Sequence, residues 1–232
     1  MQIIRNDKLI KRNARISAFT SLGGLGVLIA GLVVSFSRPE LVVWAWGSLL
    51  LGFILTQVGL YFGNRWGRKP RPDELLDTGL KGLDDRYTIY HYNSPVAHLL
   101  IGPAGLWILI PYHQSGRISY EKGKWRLRGG GFLQGYLRLF AQEGLGRPDL
   151  DALQEIEAMR RFFKKYLPDL SMPEFQTVLV ITNEKAEIAV TDPPIPIVSL
   201  KKVKELVRKS AKEKGLIPTQ IQVIQGALPG GK

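Results

Sequence analysis

Two long uncharged segments near the N-terminus constrain the fold of this chain more than any other feature. Residues 16–36 are 21 residues without a charge, and residues 41–62 form a second segment of the same kind. At a rise of about 1.5 Å per residue, a helix of either length spans the roughly 30 Å hydrocarbon core of a bilayer. Only residues 37–40 separate them. We therefore expect a transmembrane helical hairpin over residues 16–63.

A cleaved signal peptide, or a buried helical hairpin in a soluble protein, would also contain apolar segments. The apolar region of a signal peptide is usually about 7 to 15 residues long and precedes small residues at a cleavage site. Here a longer segment precedes a Ser-Arg-Pro sequence, which fits such a site poorly. Trp44, Trp46, Tyr61 and Phe62 lie near the ends of the second segment, as is typical of rings at a membrane interface. These features favour the membrane hairpin.

Glycines on the first helix indicate how the two helices pack. Gly23, Gly24, Gly26 and Gly31 would let the backbones approach closely. We expect all four to have this packing role.

Basic residues on both sides of the hairpin predict its orientation. The flanking basic residues are Arg5, Lys8, Lys11, Arg12 and Arg15 before it and Arg65, Arg68, Lys69 and Arg71 after it. By the positive-inside rule, we expect a multi-pass protein of the cytoplasmic (inner) membrane with both termini in the cytoplasm. Residues 1–15 are then a cytoplasmic N-terminus, residues 64–71 a linker, and residues 72–232 a soluble domain. The lipid bilayer is the first expected partner, and these clusters can bind anionic headgroups.

The overall composition excludes several classes of protein. The chain has 32 Lys and Arg against 20 Asp and Glu, for a formal charge of +12, and no cysteine. It therefore has no disulfide framework and no thiolate metal site. We find no phosphate-binding Gly-rich loop ending in Lys-Ser/Thr, no His-Glu-x-x-His motif and no convincing Ser-His-Asp order. We expect no cofactor.

A β-hairpin is predicted in the middle of the chain. The apolar residues 96–101 and 106–112 flank Gly102-Pro103-Ala104-Gly105, which is typical of two strands around a tight turn. Both strands are nearly continuous in Leu and Ile, so we expect them to be buried on both faces.

Other patterns predict a mixed α/β domain around this hairpin. A helix begins at Pro72 or Asp73, and another, starting at Pro148, buries Leu153, Ile156, Met159 and Phe163. Strands are predicted over residues 86–92, 117–120, 124–128, 176–182 and 197–198. Further helices are predicted after Ser199, which caps a helix ending at Gly215, and over residues 219–228. Residues 132–146 form an amphipathic insertion, which either packs on the core or docks on the membrane.

The hairpin and its flanks resemble the nuclease-related domain (NERD) family of bacteria. In that family an Ile-Asp-His segment leads to a strand, a Gly-Pro-x-Gly turn, and a second strand ending in Glu-x-Lys before a Gly. The corresponding residues here are Val96-Ala97-His98, Gly102-Pro103-Ala104-Gly105, Ile110-Pro111-Tyr112-His113 and Gly116. The resemblance covers residues 74–206 and implies a restriction-endonuclease-like mixed-sheet α/β domain.

The resemblance also implies that the catalytic positions are degenerate. Ala97 replaces the family Asp, Pro111 the Glu and His113 the Lys, and neither Ala97 nor Pro111 offers a side-chain oxygen to a divalent cation. His113 could ligate a softer metal, although a lone His on a buried strand is usually a packed core residue. If the family geometry holds, Ala97 faces Pro111 with His113 on the same face, and His98 points to the other.

One family glutamate is retained at Glu74. It is either a remnant of the metal site or a favourable partner of the helix dipole, and the loss of the metal ligands favours the dipole. We therefore predict a pseudoenzyme without a metal site.

We consider three functions for this nuclease-like scaffold. The first is an interaction or scaffolding module with an unknown protein partner. The second is a nucleic-acid-binding module, and the third, which is less favoured, is an active metal-dependent nuclease. The candidate phosphate contacts are Arg126, Arg128, Arg160, Arg161, Lys164 and Lys165, with further basic residues between Lys201 and Lys212. Their spacing is that of ordinary solvated helix faces without interleaved aromatic residues, which favours the interaction module.

Overall fold

The computed structural model describes residues 1–129, 145–211 and 216–229. The chain divides into a unit that contains Asp7–Arg71 and a unit that combines Met1–Asn6 with the described residues from Pro72 onwards. Most of the predicted insertion at 132–146 lies outside the described residues, as do Lys212 and the predicted helix end at Gly215.

The first unit is a helical hairpin. Helix α1 spans Asp7–Ser37 and helix α2 spans Val42–Phe62, with a short 3-10 turn at Pro39–Leu41 between them. A π-helical turn, Gly63–Gly67, follows α2. Both helices are long and apolar enough to cross a membrane. Helix α1 also includes four of the basic residues that precede the uncharged segment, from Lys8 to Arg15, so the helix is longer than that segment.

Small residues bring the two helices together. A Cβ atom built on Gly31 would lie 2.5 Å from Ser48 Cβ, and one on Gly24 would lie 3.1 Å from the Gly52 carbonyl oxygen. The expected packing role is therefore correct for Gly24 and Gly31. It is wrong for Gly23 and Gly26, where an added Cβ atom would meet no other atom within 4 Å, because both lie on the exposed side of α1. Successive helical residues differ by about 100° in direction, so neighbouring glycines do not share a face.

The second unit contains two sheets and four described helices. The strands are β1 (Gln2–Arg5), β2 (Thr88–His91), β3 (His98–Gly102), β4 (Gly105–Tyr112), β5 (Gly116–Glu121), β6 (Lys124–Arg128), β7 (Phe175–Ile181), β8 (Ala186–Ile188) and β9 (Ile197–Ser199). The helices are α3 (Pro72–Leu80), α4 (Pro148–Tyr166), α5 (Val203–Ser210) and α6 (Pro218–Ala227). The predicted mixed α/β class is confirmed.

The larger sheet has six strands in the order β1-β2-β3-β4-β7-β9. Strands β2, β3 and β4 are antiparallel, whereas β1 pairs parallel with β2 and β7 pairs parallel with both β4 and β9. The smaller sheet has the order β6-β5-β8. Strands β1 and β8 were not predicted, since each is only three or four residues long and pairs with a distant part of the chain.

Helices cover both faces of the larger sheet, as the apolar strands predict. On one face, α3 and α5 pack on Leu100, Trp107 and Leu109. On the other face, α4 and α6 pack on Leu99 and Ile108. Alternate residues of β3 and β4 therefore enter two separate cores, which explains why neither strand has a polar face.

Two details of the predicted helices are wrong. Leu153 is 56% exposed, and the buried residues of α4 include Ala152, Met159 and Phe163. The buried stripe thus begins one residue earlier than expected, which still satisfies a period of 3.6 residues. Ser199 precedes a 3-10 turn at Leu200–Lys202, and its side chain makes no capping hydrogen bond.

Candidate functional site

The register of the β3–β4 hairpin fixes which of the family positions face each other. Leu99 pairs with Ile108 and Gly102 with Gly105. If this register continues, Ile110 lies opposite Ala97, and Pro111 belongs to the other face. The expected pairing of Ala97 with Pro111 is therefore wrong by one residue, and a shift of one residue in a strand exchanges its faces. Pro111 itself pairs with Val180 of β7.

The same register corrects the orientation expected for His98. Residues 98 and 100 of β3 alternate with Leu99, so His98 belongs to the face of Leu100 and Leu109, which is also the face of Pro111. His98 is buried and lies directly opposite His91 of β2.

His113 lies just after β4 at the carboxyl ends of β4 and β7. Its Nδ1 atom is 3.2 Å from Thr182 Oγ1, and the Thr182 hydroxyl donates to the Tyr112 carbonyl oxygen at 3.1 Å. Asn183 Nδ2 donates to the His113 carbonyl oxygen at 3.0 Å. The Thr182 hydroxyl uses its hydrogen on Tyr112, so it accepts from His113, which therefore carries a proton on Nδ1.

The residues at the positions of the family Glu-x-Lys provide no carboxylate ligand for a divalent cation. The segment from Ile110 to His113 contains no carboxylate, and the Tyr112 hydroxyl donates to Asp151 Oδ2 of α4 at 2.6 Å. Within the described part of the chain, no group of three or more His, Cys, Asp or Glu side chains is arranged to hold a metal ion. The hairpin therefore supports no two-carboxylate metal site among these residues.

A group of five ionisable side chains in mutual contact lies on the α3 face of the larger sheet. We call it the Arg5 network, and it comprises Arg5, Asp73, Asp77, His91 and His98. Arg5 Nε lies 2.9 Å from Asp73 Oδ2, and a second guanidinium nitrogen pairs with Asp77 Oδ2. Asp77 Oδ1 is 2.9 Å from His91 Nε2, and His91 Nδ1 is 2.8 Å from His98 Nδ1. The chain of contacts thus runs from Asp73 to His98.

Backbone pairing explains how these residues meet. Arg5 pairs with His91, and His91 pairs with His98, so the three side chains form one row across β1, β2 and β3. Asp73 and Asp77 are one turn apart on α3 and point to the same side of that helix. Asp73, His91 and His98 are all buried.

The number of protons between the rings follows from the contacts. A carboxylate only accepts hydrogen bonds, so His91 donates to Asp77 from Nε2. A single proton then lies between the two facing Nδ1 atoms, donated by one ring and accepted by the other. Arg5 carries one positive charge against the two negative charges of Asp73 and Asp77, and buried charges of this kind need such partners. The Arg5 network links its members by ion pairs and by hydrogen bonds through His91, although Arg5 Nε makes no hydrogen bond of good geometry. We interpret it as a structural link between β1, β2, β3 and α3.

Sequence reasoning missed most of this network. Glu74 was the acidic residue singled out on α3, but it is only half-buried, and its neighbours Asp73 and Asp77 hold Arg5. The spacing of Asp73 and Asp77 is a usable signal for a shared partner. The identity of that partner depended on β1, which was not predicted.

The basic residues considered for phosphate binding are spread over separate elements. Arg126 and Arg128 of β6 both lie near Glu121, at 4.0 and 3.5 Å. Arg160 pairs with Glu157 at 2.6 Å. Arg161, Lys164 and Lys165 are exposed near the end of α4.

Basic residues after β9 also have intramolecular partners. Lys201 pairs with Glu184 at 2.8 Å, and its hydrogen bond lowers the pKa of the Glu184 carboxyl group. Lys204 Nζ donates to the Lys81 carbonyl oxygen at 3.1 Å, and Arg208 donates to that of Gly82 at 2.6 Å. These two residues satisfy carbonyl groups just after the end of α3, a role that needs no nucleic acid.

Comparison with known proteins adds no relative. No family model matches the chain. No curated protein or solved structure matches it either. The resemblance to the NERD family therefore depends on the residues and spacings of the hairpin alone.

Proposed function

We propose that this protein is anchored in the cytoplasmic membrane by α1 and α2, with both termini in the cytoplasm, and that its α/β unit is an interaction or scaffolding module. The exposed apolar surface of the hairpin carries the proposal. Phe36 is 80% exposed, Val43 76%, Phe19 74% and Trp44 72%. Burying apolar surface contributes about 25 cal/mol per Å², so side chains of this size on two adjacent helices favour a lipid environment.

The aromatic residues at the end of α2 support the same proposal. Tyr61, Phe62 and Trp66 pack against one another at the end of α2, with ring centres 5.4 to 6.3 Å apart. The Arg65 guanidinium lies 5.6 Å from the centre of the Tyr61 ring. Aromatic rings beside a basic residue are typical of the boundary between hydrocarbon and headgroups.

We further propose that the α/β unit is a degenerate nuclease-related domain with a restriction-endonuclease-like fold. The support is the order of its elements from α3 to β7. A helix and three antiparallel strands are followed by the β5–β6 pair of the smaller sheet, a helix, and a strand parallel to the last of the three. The absence of carboxylates from Ile110 to His113 argues against two-metal hydrolysis by this hairpin. The module would then act by binding a protein partner.

Membrane fractionation and a nuclease assay test the two parts separately. The full chain should stay with the membrane pellet after high salt and alkaline carbonate, and release into the supernatant would contradict the anchor. The purified full chain in neutral detergent should not cut plasmid or single-stranded DNA with Mg²⁺ or Mn²⁺. Cleavage that is abolished by Glu74→Ala or His113→Ala would establish an active enzyme instead.

Nucleic-acid binding is the second candidate function, because of the end of α4. Arg161, Lys164 and Lys165 are exposed there, and Lys165 Nζ lies 5.0 Å from the centre of the exposed Tyr166 ring. Measuring the affinity for DNA and RNA across a series of salt concentrations distinguishes nucleic-acid binding from a protein-interaction role. Binding that weakens steeply with salt, with a slope reduced in an Arg161→Gln/Lys164→Gln variant, would favour this function. A Lys122→Gln/Lys124→Gln variant, changed in the β5–β6 turn, is the control.

A further inference from the structure

A cleft lies between the start of α1 and the end of α2. Its volume is about 440 Å³. Its lining includes Ala14, Ser17, Ala18, Ser21, Asn64 and Arg68, and the remaining lining residues are Leu60 and three glycines. The cleft thus combines a narrow wall of small residues with an amide and a guanidinium group.

Two hydrogen bonds to backbone carbonyl groups lie beside this cleft. The Ser17 hydroxyl donates to the Gly59 carbonyl oxygen at 2.8 Å, which fixes the two helices close together beside the cleft. In the following π-helical turn, the Arg68 amide donates to the Gly63 carbonyl oxygen at 2.8 Å. A π-helical turn contains one more residue than an α-helical turn and often occurs at functional sites. Here it carries Asn64 and leads directly into Arg68.

The charge around the cleft is strongly positive. Between Asp7 and Arg71 the acidic residues are Asp7 and Glu40, and Glu40 belongs to the turn at the opposite end of the hairpin. Arg12, Arg15 and Arg65 are close in sequence to the lining residues. The Arg68 side chain is exposed and makes no ion pair with any carboxylate in the described ranges. A cleft of this kind attracts an anion rather than a cation.

The cleft lies at the level where a lipid headgroup would be found. It is at the end of the hairpin where the first uncharged segment begins, at Ile16, and the second ends, at Phe62. The rings of Tyr61, Phe62 and Trp66 mark the same level. This placement depends on the membrane anchor proposed above. Basic pockets between membrane helices on the cytoplasmic side are known to hold anionic headgroups.

We propose that this cleft binds the phosphate of an anionic phospholipid. Arg68 supplies the positive charge and Asn64 a hydrogen bond, because guanidinium and amide N–H groups suit phosphate oxygens. Ala14 and Ala18 leave room for the glycerol part of the lipid beside α1. A free phosphate ion has the same anionic chemistry, whereas the acyl chains distinguish the lipid.

Lipid retention by the purified full chain tests the proposal. The chain is stripped of lipid in neutral detergent, mixed with phosphatidylglycerol or phosphatidylcholine, and examined by native mass spectrometry. The wild-type chain should retain one phosphatidylglycerol in preference to phosphatidylcholine. Arg68→Gln should weaken this retention about fivefold, as the loss of one arginine contact near a membrane surface implies. Ala18→Leu, which fills the cleft without a change of charge, should weaken it as well.

Two matched variants separate the cleft from general effects. Arg38→Gln removes a charge at the opposite end of the hairpin, and Ala30→Leu enlarges an exposed residue of α1 outside the cleft. Both should retain lipid like the wild type. Equal losses in Arg68→Gln and Arg38→Gln, or no loss in any variant, would overturn the proposal.

The remaining outcomes separate this proposal from the anchor. Full displacement of the lipid by inorganic phosphate would also overturn the proposal, since it would identify a site for the free ion. A chain that fractionates with membranes but shows no lipid preference would refute only the lipid site. A chain found in the soluble fraction would refute the anchor.

Discussion

The helical hairpin and the α/β unit use apolar residues in opposite ways. In the hairpin the smallest residues, such as Gly24, Gly31 and Gly52, lie between the helices, and the large apolar side chains point outwards. In the α/β unit the large residues, such as Tyr90 and Phe163, are buried. In water, burial of large side chains stabilises the fold. In lipid that gain is absent, so helices associate through close contact of small residues.

Charged residues differ between the two units in the same way. The hairpin has its charges outside the two uncharged segments. The α/β unit buries Asp73 and two histidines and satisfies them within the Arg5 network. A buried charge is tolerable where a fixed partner is available, and the sheet and α3 supply that partner. The comparison therefore predicts which substitutions each unit tolerates.

The largest effect is expected from Arg5→Met. This substitution leaves the buried carboxylate of Asp73 without its cation, and breaking such a pair costs about 3 to 5 kcal/mol of unfolding free energy. Thermal unfolding of the full chain in neutral detergent, followed by near-UV circular dichroism, measures the loss. Adding Asp73→Asn to the variant should restore part of it, because the uncompensated charge is then removed.

Arg117→Met is the matched control for this prediction. Arg117 is 62% exposed and lies 3.6 Å from Glu187. Exposed pairs contribute little, so its melting temperature should stay near that of the wild type. Similar losses in both variants would mean that the Arg5 network is no more than a surface ion pair.

The next largest effect is expected from Gly59→Leu in the hairpin. A Cβ atom at Gly59 would lie 2.2 Å from Ser21 Oγ and 3.0 Å from the Ser21 amide nitrogen, so the helices must separate. Overpacking of this kind costs about 1 to 3 kcal/mol. The temperature of heat-induced aggregation in detergent should fall. Gly23→Leu should have no such effect, because Gly23 faces open space, and equal damage from both would refute the small-residue interface.

A smaller effect is expected at alkaline pH. Burial raises the pKa of the Tyr90 hydroxyl above its ordinary value of 10.0, and burial also raises the pKa of Tyr87. The folded state therefore holds the phenol proton more tightly than the unfolded chain. Its stabilising contribution is complete below about pH 10 and is lost as the pH rises towards the folded pKa, by at most about 1.4 kcal/mol per pH unit for each tyrosine.

Tyr90→Phe tests this pH dependence. The variant should lose stability less steeply than the wild type above about pH 10. The exposed Tyr166 provides the control variant Tyr166→Phe, which should follow the wild type. An unchanged slope in Tyr90→Phe would show that the α/β unit does not bury this hydroxyl as described.

The parts of the fold that were predictable depend on local patterns. The uncharged segments predicted α1 and α2, and apolar strands around Gly102 and Gly105 predicted the β3–β4 hairpin. Apolar residues at helical spacing after Pro148 predicted α4. In each case the signal lies within one element or between neighbours in the chain.

The parts that were missed depend on distant pairing or on register. Strand β1 pairs with β2, more than 80 residues later, and its four residues have no distinctive pattern. Without β1, Arg5 could not be placed beside Asp73. The positions facing Ala97 depended on a register that is fixed by the Gly102–Gly105 pair. An error of one residue there assigned Pro111 to the face of Ala97, whereas the register puts it on the face of His98.

The topology of the hairpin is the most direct test of the account. The chain has no native cysteine, so single cysteines can be introduced without background. Ser37→Cys, at the end of α1, should react with an impermeant thiol reagent added from outside the cytoplasm. Ser199→Cys, at the end of β9, should react only after the cytoplasmic side is opened. Labelling of both cysteines from the same side would contradict a membrane hairpin with cytoplasmic termini.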